Sequence, residues 1–197
     1  MVGAILTQNT NWTNVEKAIG NLKAAGVLEL HALLALSLER LAELIRPSGY
    51  FNVKARRLRS FLEFFVRETD GDERRWDDVP TLELRERMLA VNGVGRETVD
   101  SILLYALNRK IFVIDAYTRR LLKRHRLIRG EEDYDEIRAL FESHLPADRA
   151  LYNEYHALIV RAGKYHCKPT PKCEGCPLAA FPREHPRHRR IPRRRSS

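Results

Sequence analysis

Apolar residues in this chain recur three and four positions apart almost from end to end. That repeat sets one face of an α-helix against a core. "NVEKAIGNLKAAG" carries Val15, Ala18, Ile19 and Leu22 at this spacing and stops on Gly26, as a helix followed by glycine does. "LELHALLALS" and "SLERLAELIRPSG" predict two more helices, the second ended by Pro47 and Gly49. "NVKARRLRSFLEFFVRET" predicts a helix from Asn52 to Thr69, capped by Asn52, with Val53, Leu58, Phe61, Leu62 and Phe65 on its apolar face. "DVPTLELRERMLAV" predicts another, and "RETVDSILLYALN", "DAYTRRLLKRHRLI", "DYDEIRALFESHL" and "DRALYNEYHALIVRAG" follow. Alternating, strand-like patterns are nearly missing, and "KIFVI" (Lys110 to Ile114) is short enough for a buried connector. The fold class read from this pattern is all-α with short loops.

Composition bounds the picture. A chain of 197 residues with 44% hydrophobic content suits one or two compact domains. No apolar run approaches the roughly 18 residues of a membrane span. "MVGAILTQNTNW" lacks the basic start of a secretory signal. Val2, Ile5 and Leu6 are already core-like, so an upstream segment is expected to be missing. Of the net charge of +9, +6 lies in residues 182–197, "PREHPRHRRIPRRRSS". Such an Arg/Pro-rich arm builds no core; it is either a phosphate-binding arm for nucleic acid or a plain solvated end. All three cysteines fall in "CKPTPKCEGC": Cys167, Cys173 and Cys176. An odd, clustered set argues for a metal or a reducing cytoplasm rather than a disulfide framework.

"VNGVGRETVDSILLYAL" carries the most chemistry. Gly93 and Gly95 suit a tight turn between two helices. The amides that open the second helix then form an anion site, with Arg96 adding charge and Thr98 in the same first turn. A plain helix–helix turn is the alternative. Further on, Asp115 follows an apolar run and opens a helix bearing Arg119, Arg120, Lys123 and Arg124. It suits a helix N-cap, and the same carboxylate suits stabilisation of a nearby cation.

"LAVNGVGRETVDSILLYAL…VIDAYTRR" resembles the helix-hairpin-helix and following aspartate of the endonuclease III superfamily of DNA glycosylases. "GAILTQNTNWTNVEKAIGNL" is similar to that family's first barrel helix, "IRPSGYFNVKARRL" to its Gly…Lys-Ala segment, and "CKPTPKCEGCPL" to its iron–sulfur loop. The match runs in the family's order from residue 3 to about residue 178. It implies a two-lobed, all-helical glycosylase fold: residues 1–110 as a helical barrel with the hairpin, 111–181 as a second helical domain with the cysteine loop, and 182–197 as a basic tail. It implies a monomer acting on damaged double-stranded DNA in a prokaryotic cytoplasm, at the nucleoid. Such enzymes flip a base out of the stack, and a side chain fills the gap. By resemblance Gln8 is the gap-filling glutamine and Asp115 the catalytic aspartate. Gly93, Gly95, Arg96 and Thr98 are the DNA-gripping hairpin. Gln8 as a buried polar residue capping a backbone group is the alternative.

Members that also cleave the strand carry a lysine two residues after the hairpin's second glycine, which forms a Schiff base with the sugar. Here that residue is Glu97, which suits the first turn of a helix and forms no imine. Lys110 and Lys123 do not match the motif. Glu97 and the "TQNT" run followed by Trp12 resemble the 3-methyladenine-excising branch, in which an aromatic side chain stacks on the base. Stacking a cationic base on an indole contributes about 1–2 kcal/mol when desolvated; Trp12 as core packing is the alternative. The resemblance thus implies a monofunctional glycosylase for alkylated purines. The alternatives are an endonuclease III-type glycosylase/AP lyase for oxidised pyrimidines and a non-catalytic DNA-binding module. The family's cluster loop is C-x6-C-x2-C-x5-C. Here the first gap holds five residues and the fourth position is Pro182. Three readings stay open: a [4Fe–4S] cluster on Cys167, Cys173 and Cys176 with His185 or water as fourth ligand; a zinc site assisted by His166, His185 or His188; or no metal.

Overall fold

A computed structural model describes residues 1–183. Most of the basic arm, with His185 and His188, lies outside the described residues. Among the described residues there are ten α-helices and no strand, as the all-α reading expects. No described helix is long and apolar enough to cross a membrane.

The chain forms two compact units. The first combines residues 1–113 with 145–153; the second combines residues 114–144 with the described residues 154–183. The chain therefore enters each unit twice, which a reading in chain order does not display.

The first unit is built from α1 (Val2–Leu6), α2 (Trp12–Ala24), α3 (Leu30–Ala35), α4 (Leu38–Leu44), α5 (Phe51–Thr69), α6 (Thr81–Leu89) and α7 (Arg96–Tyr105). α5 is its axis, with α1, α3 and α4 packed on it. Leu58, Phe61, Leu62 and Phe65 are buried along one of its faces, each stabilising the fold by about 2–3 kcal/mol. Trp76, at 1% exposure, closes that core against Phe64 and Phe65, with ring centroids 5.9 and 5.2 Å away. α5 departs from expectation at its start. Asn52 is not the cap: Gly49 (φ 70°) and Tyr50 (φ 48°) make the entry turn, and the helix opens at Phe51. Val53 is correspondingly turned outward and exposed. Ile111 to Ile114 are buried without forming a strand, as a connector should be.

The second unit holds α8 (Ala116–Arg124), α9 (Tyr134–His144) and most of α10 (Arg149–Tyr165). α8 and α10 approach closely: a Cβ on Gly163 would sit 2.5 Å from the Tyr117 ring. Leu121, Ala162 and Cys167 form a small core with Leu178 against it.

Candidate functional site

In the first unit, α6 and α7 are joined by the turn Val91–Gly95. Val91 and Val94 are buried, which anchors the turn from beneath. Arg85 on α6 and Asp100 on α7 form a bidentate ion pair, Nε–Oδ1 2.7 Å and Nη2–Oδ2 3.2 Å, almost wholly out of water. The two glycines act differently. Gly93 takes φ 80°, a conformation open to glycine at little cost. Gly95 is extended (φ −93°) and is the N-cap of α7, with no side chain to cap the first amides. A Cβ at Gly95 would meet nothing within 4 Å. The first amides of α7 have no intrahelical acceptor and no Gly95 side chain over them, with Arg96 exposed in the same turn. Such a helix start is suited to an anion. Glu97 is exposed in the same turn.

Gln8 is held against this hairpin. Its Nε2 donates to the Gly93 carbonyl at 3.2 Å and to Thr98 Oγ1 at 3.0 Å. Arg57 Nη1 donates to its Oε1 at 2.5 Å. Thr98 is buried, and its hydroxyl accepts from Gln8. Beneath lies Lys54, 1% exposed, whose ammonium donates to the carbonyls of Leu6 at 2.8 Å and Ser48 at 2.6 Å. Burial, and then the Arg57 charge, hold Lys54 below the ordinary lysine value.

Asp115 belongs to the second unit, where it is the N-cap of α8. Its Oδ1 accepts from Thr118 N at 2.7 Å and Thr118 Oγ1 at 2.8 Å. Its Oδ2 lies 3.6 Å from His156 Nε2, too long for a direct hydrogen bond. Burial works to raise the Asp115 pKa, but His156 and the Thr118 bonds outweigh it and hold the carboxyl below the usual carboxylate range. One oxygen is thus committed to the helix, and the group stays anionic in a nearly dry setting.

Trp12 opens α2 at 55% exposure. Its Nε1 donates to Glu16 Oε1 at 2.9 Å, and the outer edge of its ring lies over Gly3, where a Cβ would be 3.4 Å from it. It is not core packing.

Cys167, Cys173 and Cys176 line one small solvent-open pocket in the second unit, with Arg124, His125, His166 and Lys172. Arg124 donates to Cys167 Sγ at 3.2 Å and to the carbonyls of Lys168 and Pro169. Arg120 donates to those of Cys167 and Gly163. Among the described residues no group of three or more His, Cys, Asp or Glu side chains is placed to hold a metal ion. Pro182, in the fourth position, brings no side-chain donor, and its carbonyl meets His125 Nδ1 at 2.9 Å. The described residues do not fit a four-ligand iron–sulfur site.

Sequence reasoning gave no role to Arg57, Lys54 or His156, although Lys54 is the lysine of the Lys-Ala segment. A signal existed for two of them. Lys54 is in register with Leu58 and Phe61, and His156 with Tyr152 and Ile159; a polar side chain in core register marks a buried polar contact.

A family model described as "HhH-GPD superfamily base excision DNA repair protein" matches residues 2–147. The chain is 49% identical over 182 residues to "Putative DNA repair glycosylase MJ1434" of Methanocaldococcus jannaschii, covering 92% of this chain and 83% of that protein. Among solved structures it is similar to the H. pylori 3-methyladenine DNA glycosylase bound to 1,N6-ethenoadenine, with TM-score 0.71 and 33% identity over 83% of this chain and 82% of that one. It also shares its fold with an endonuclease III in a non-covalent DNA complex, with TM-score 0.78 and 24% identity over 93% and 81% of the two chains.

Proposed function

Since this chain belongs to the HhH-GPD superfamily of base excision DNA repair proteins and is a DNA glycosylase of that family, we propose that it is monofunctional and removes alkylated purines, 3-methyladenine among them, by hydrolysis. The observation that carries the reading is Glu97 in the first turn of α7, two residues after Gly95. A carboxylate there forms no imine, so the sugar is not held covalently and the strand is not cut. The 33% identity to a 3-methyladenine DNA glycosylase supports the substrate class.

The residues divide the work. Gly93, Gly95, Arg96 and the opening amides of α7 hold a backbone phosphate. Gln8 fills the gap left by the extruded base. Trp12 offers an exposed indole face to a base that carries positive charge, and such a face favours cations. Asp115 stabilises the positive sugar that forms as the N-glycosyl bond breaks. The bond's electron pair leaves with the base, and water adds to the sugar carbon with its proton lost to Asp115 or solvent. A base alkylated at N3 is already cationic and needs no acid to leave. The cysteine loop enters no step.

The test is incubation of the full chain with methylated and with oxidised duplex DNA, mass spectrometry of released bases, and borohydride in a parallel reaction. Release of methylated purines without nicking or a trapped adduct is expected. A borohydride-trapped protein–DNA adduct, or release of oxidised pyrimidines alone, overturns the reading.

A further inference from the structure

Arg57 is assigned no part by the family match or by the sequence, yet it contacts both halves of the DNA-gripping apparatus in the first unit. Its guanidinium reaches Gln8 Oε1. Its side chain also lies against Gly93 so tightly that a Cβ there would fall 2.4 Å from Cγ and 2.8 Å from Cδ and Nε. The amide orientation of Gln8 follows from its partners. Arginine only donates and the Gly93 carbonyl only accepts, so Oε1 must face Arg57 and Nε2 must face the hairpin. Both amide hydrogens and one lone pair are then committed, and the side chain is held in one arrangement. The backbone is pinned from the same helix, because Lys54 of α5 holds the Leu6 carbonyl two residues earlier.

We propose that Arg57 is a positioning residue for gap filling. It fixes Gln8 on the hairpin, so that the hairpin's grip on phosphate also sets where Gln8 stands. This deepens the reading above and rests on Gln8 as the gap-filling residue. Arg57 acts through Gln8, and ordering that side chain before DNA arrives removes the entropy cost of ordering it afterwards.

The proposal differs from a plain phosphate contact in what it does to a ratio. Two duplexes of identical sequence are used, one intact and one bearing a tetrahydrofuran abasic analogue, whose gap only a filling residue exploits. Affinities of the full chain for both are measured over a range of salt. Arg57→Met keeps the stem and removes the donor. It is expected to lower the gapped-to-intact affinity ratio about tenfold, the scale of one charge-assisted hydrogen bond, with the salt slope on intact duplex unchanged. Gln8→Ala should lower the ratio similarly, and the double variant no further than either single change.

A phosphate role for Arg57 predicts the opposite: both affinities fall together, the ratio stands, and the salt slope drops by about 0.9. That outcome overturns the proposal. So does an additive double variant when Gln8→Ala is itself effective. If Gln8→Ala leaves the ratio untouched, the gap-filling reading falls and this proposal with it. Should Arg57→Met melt early, Arg57→Leu also removes the donor; it should lose the ratio while keeping intact-duplex affinity, and a full ratio would overturn the proposal.

Discussion

Removing Asp100 is the sharpest test of what holds the hairpin's two helices together. Arg85 and Asp100 meet through two parallel hydrogen bonds, with side-chain exposures of 8% and 0%. Asp100→Ala leaves the guanidinium in a dry setting without its bidentate carboxylate. Breaking one side of such a pair costs about 3–5 kcal/mol, far above what a solvent-exposed ion pair contributes. For a chain of this size the loss corresponds to roughly 6–20 °C in Tm. Replacing both partners, as Arg85→Met with Asp100→Leu, removes both desolvation costs and should return stability to within about 1 kcal/mol of the parent. Thermal and urea unfolding of the three variants by circular dichroism measures this. The affinity of Asp100→Ala for intact duplex should fall as well, because the same pair sets α6 against α7 around the turn proposed to hold phosphate. A cost below about 1 kcal/mol for Asp100→Ala, or a double variant worse than the single one, would refute the reasoning.

Asp115→Asn keeps an amide oxygen for the α8 cap, since Asn is as good an N-cap as Asp. It should lower the single-turnover rate roughly 10²–10³-fold with Tm little changed and abasic-product DNA still bound; wild-type turnover would show that Asp115 is a cap only. Because the Asp115 carboxyl is held low, its contribution to stability is complete above the ordinary carboxylate value near pH 4 and is lost as pH falls through the lower native value. The acid limb of the single-turnover rate should likewise lie below the ordinary range, and His156→Asn should move it upward; an unmoved limb would show that His156 does not tune the carboxylate. Trp12→Ala should weaken binding to DNA bearing cationic methylated purines more than to DNA bearing neutral bases of similar shape, measured by fluorescence anisotropy. Equal losses for the two would remove its stacking role. Protein purified anaerobically should carry far less than four iron atoms per chain and melt at the same temperature with and without chelator; a brown protein with near-stoichiometric iron would show that residues outside those described complete the ligand set.

The helices were legible because amphipathic spacing reports which face of a segment is buried, and burial is what most of this fold rests on. Asp115 was legible as a cap, since a carboxylate before a helical run has a local use three residues on. Gln8 was placed by resemblance, but its partners were not, because Arg57, Gly93 and Thr98 arrive from 49, 85 and 90 positions away and no periodicity encodes such meetings. Asn52 misled because the chain enters α5 through a left-handed Gly49–Tyr50 turn, a backbone solution that leaves no cap to read. The Gly-x-Gly spacing marked the turn but not its division of labour: Gly93 takes the positive φ, and Gly95 is the extended N-cap of α7. At the cysteine loop, spacing counts candidate ligands but cannot show that Arg120 and Arg124 already take the loop's carbonyls.

The nesting of the Arg57 stem in the space beside Gly93 also ties the histories of two distant codons together. Any side chain arriving at position 93 must first have position 57 shortened or swung away, and even then only residues tolerant of a left-handed backbone, such as asparagine, have an accessible route. Conversely, a shortened residue 57 leaves a hollow under the turn that a small substituent at 93 would fill. Descendants of this chain should therefore change at 57 and 93 in a fixed order, with 57 moving first.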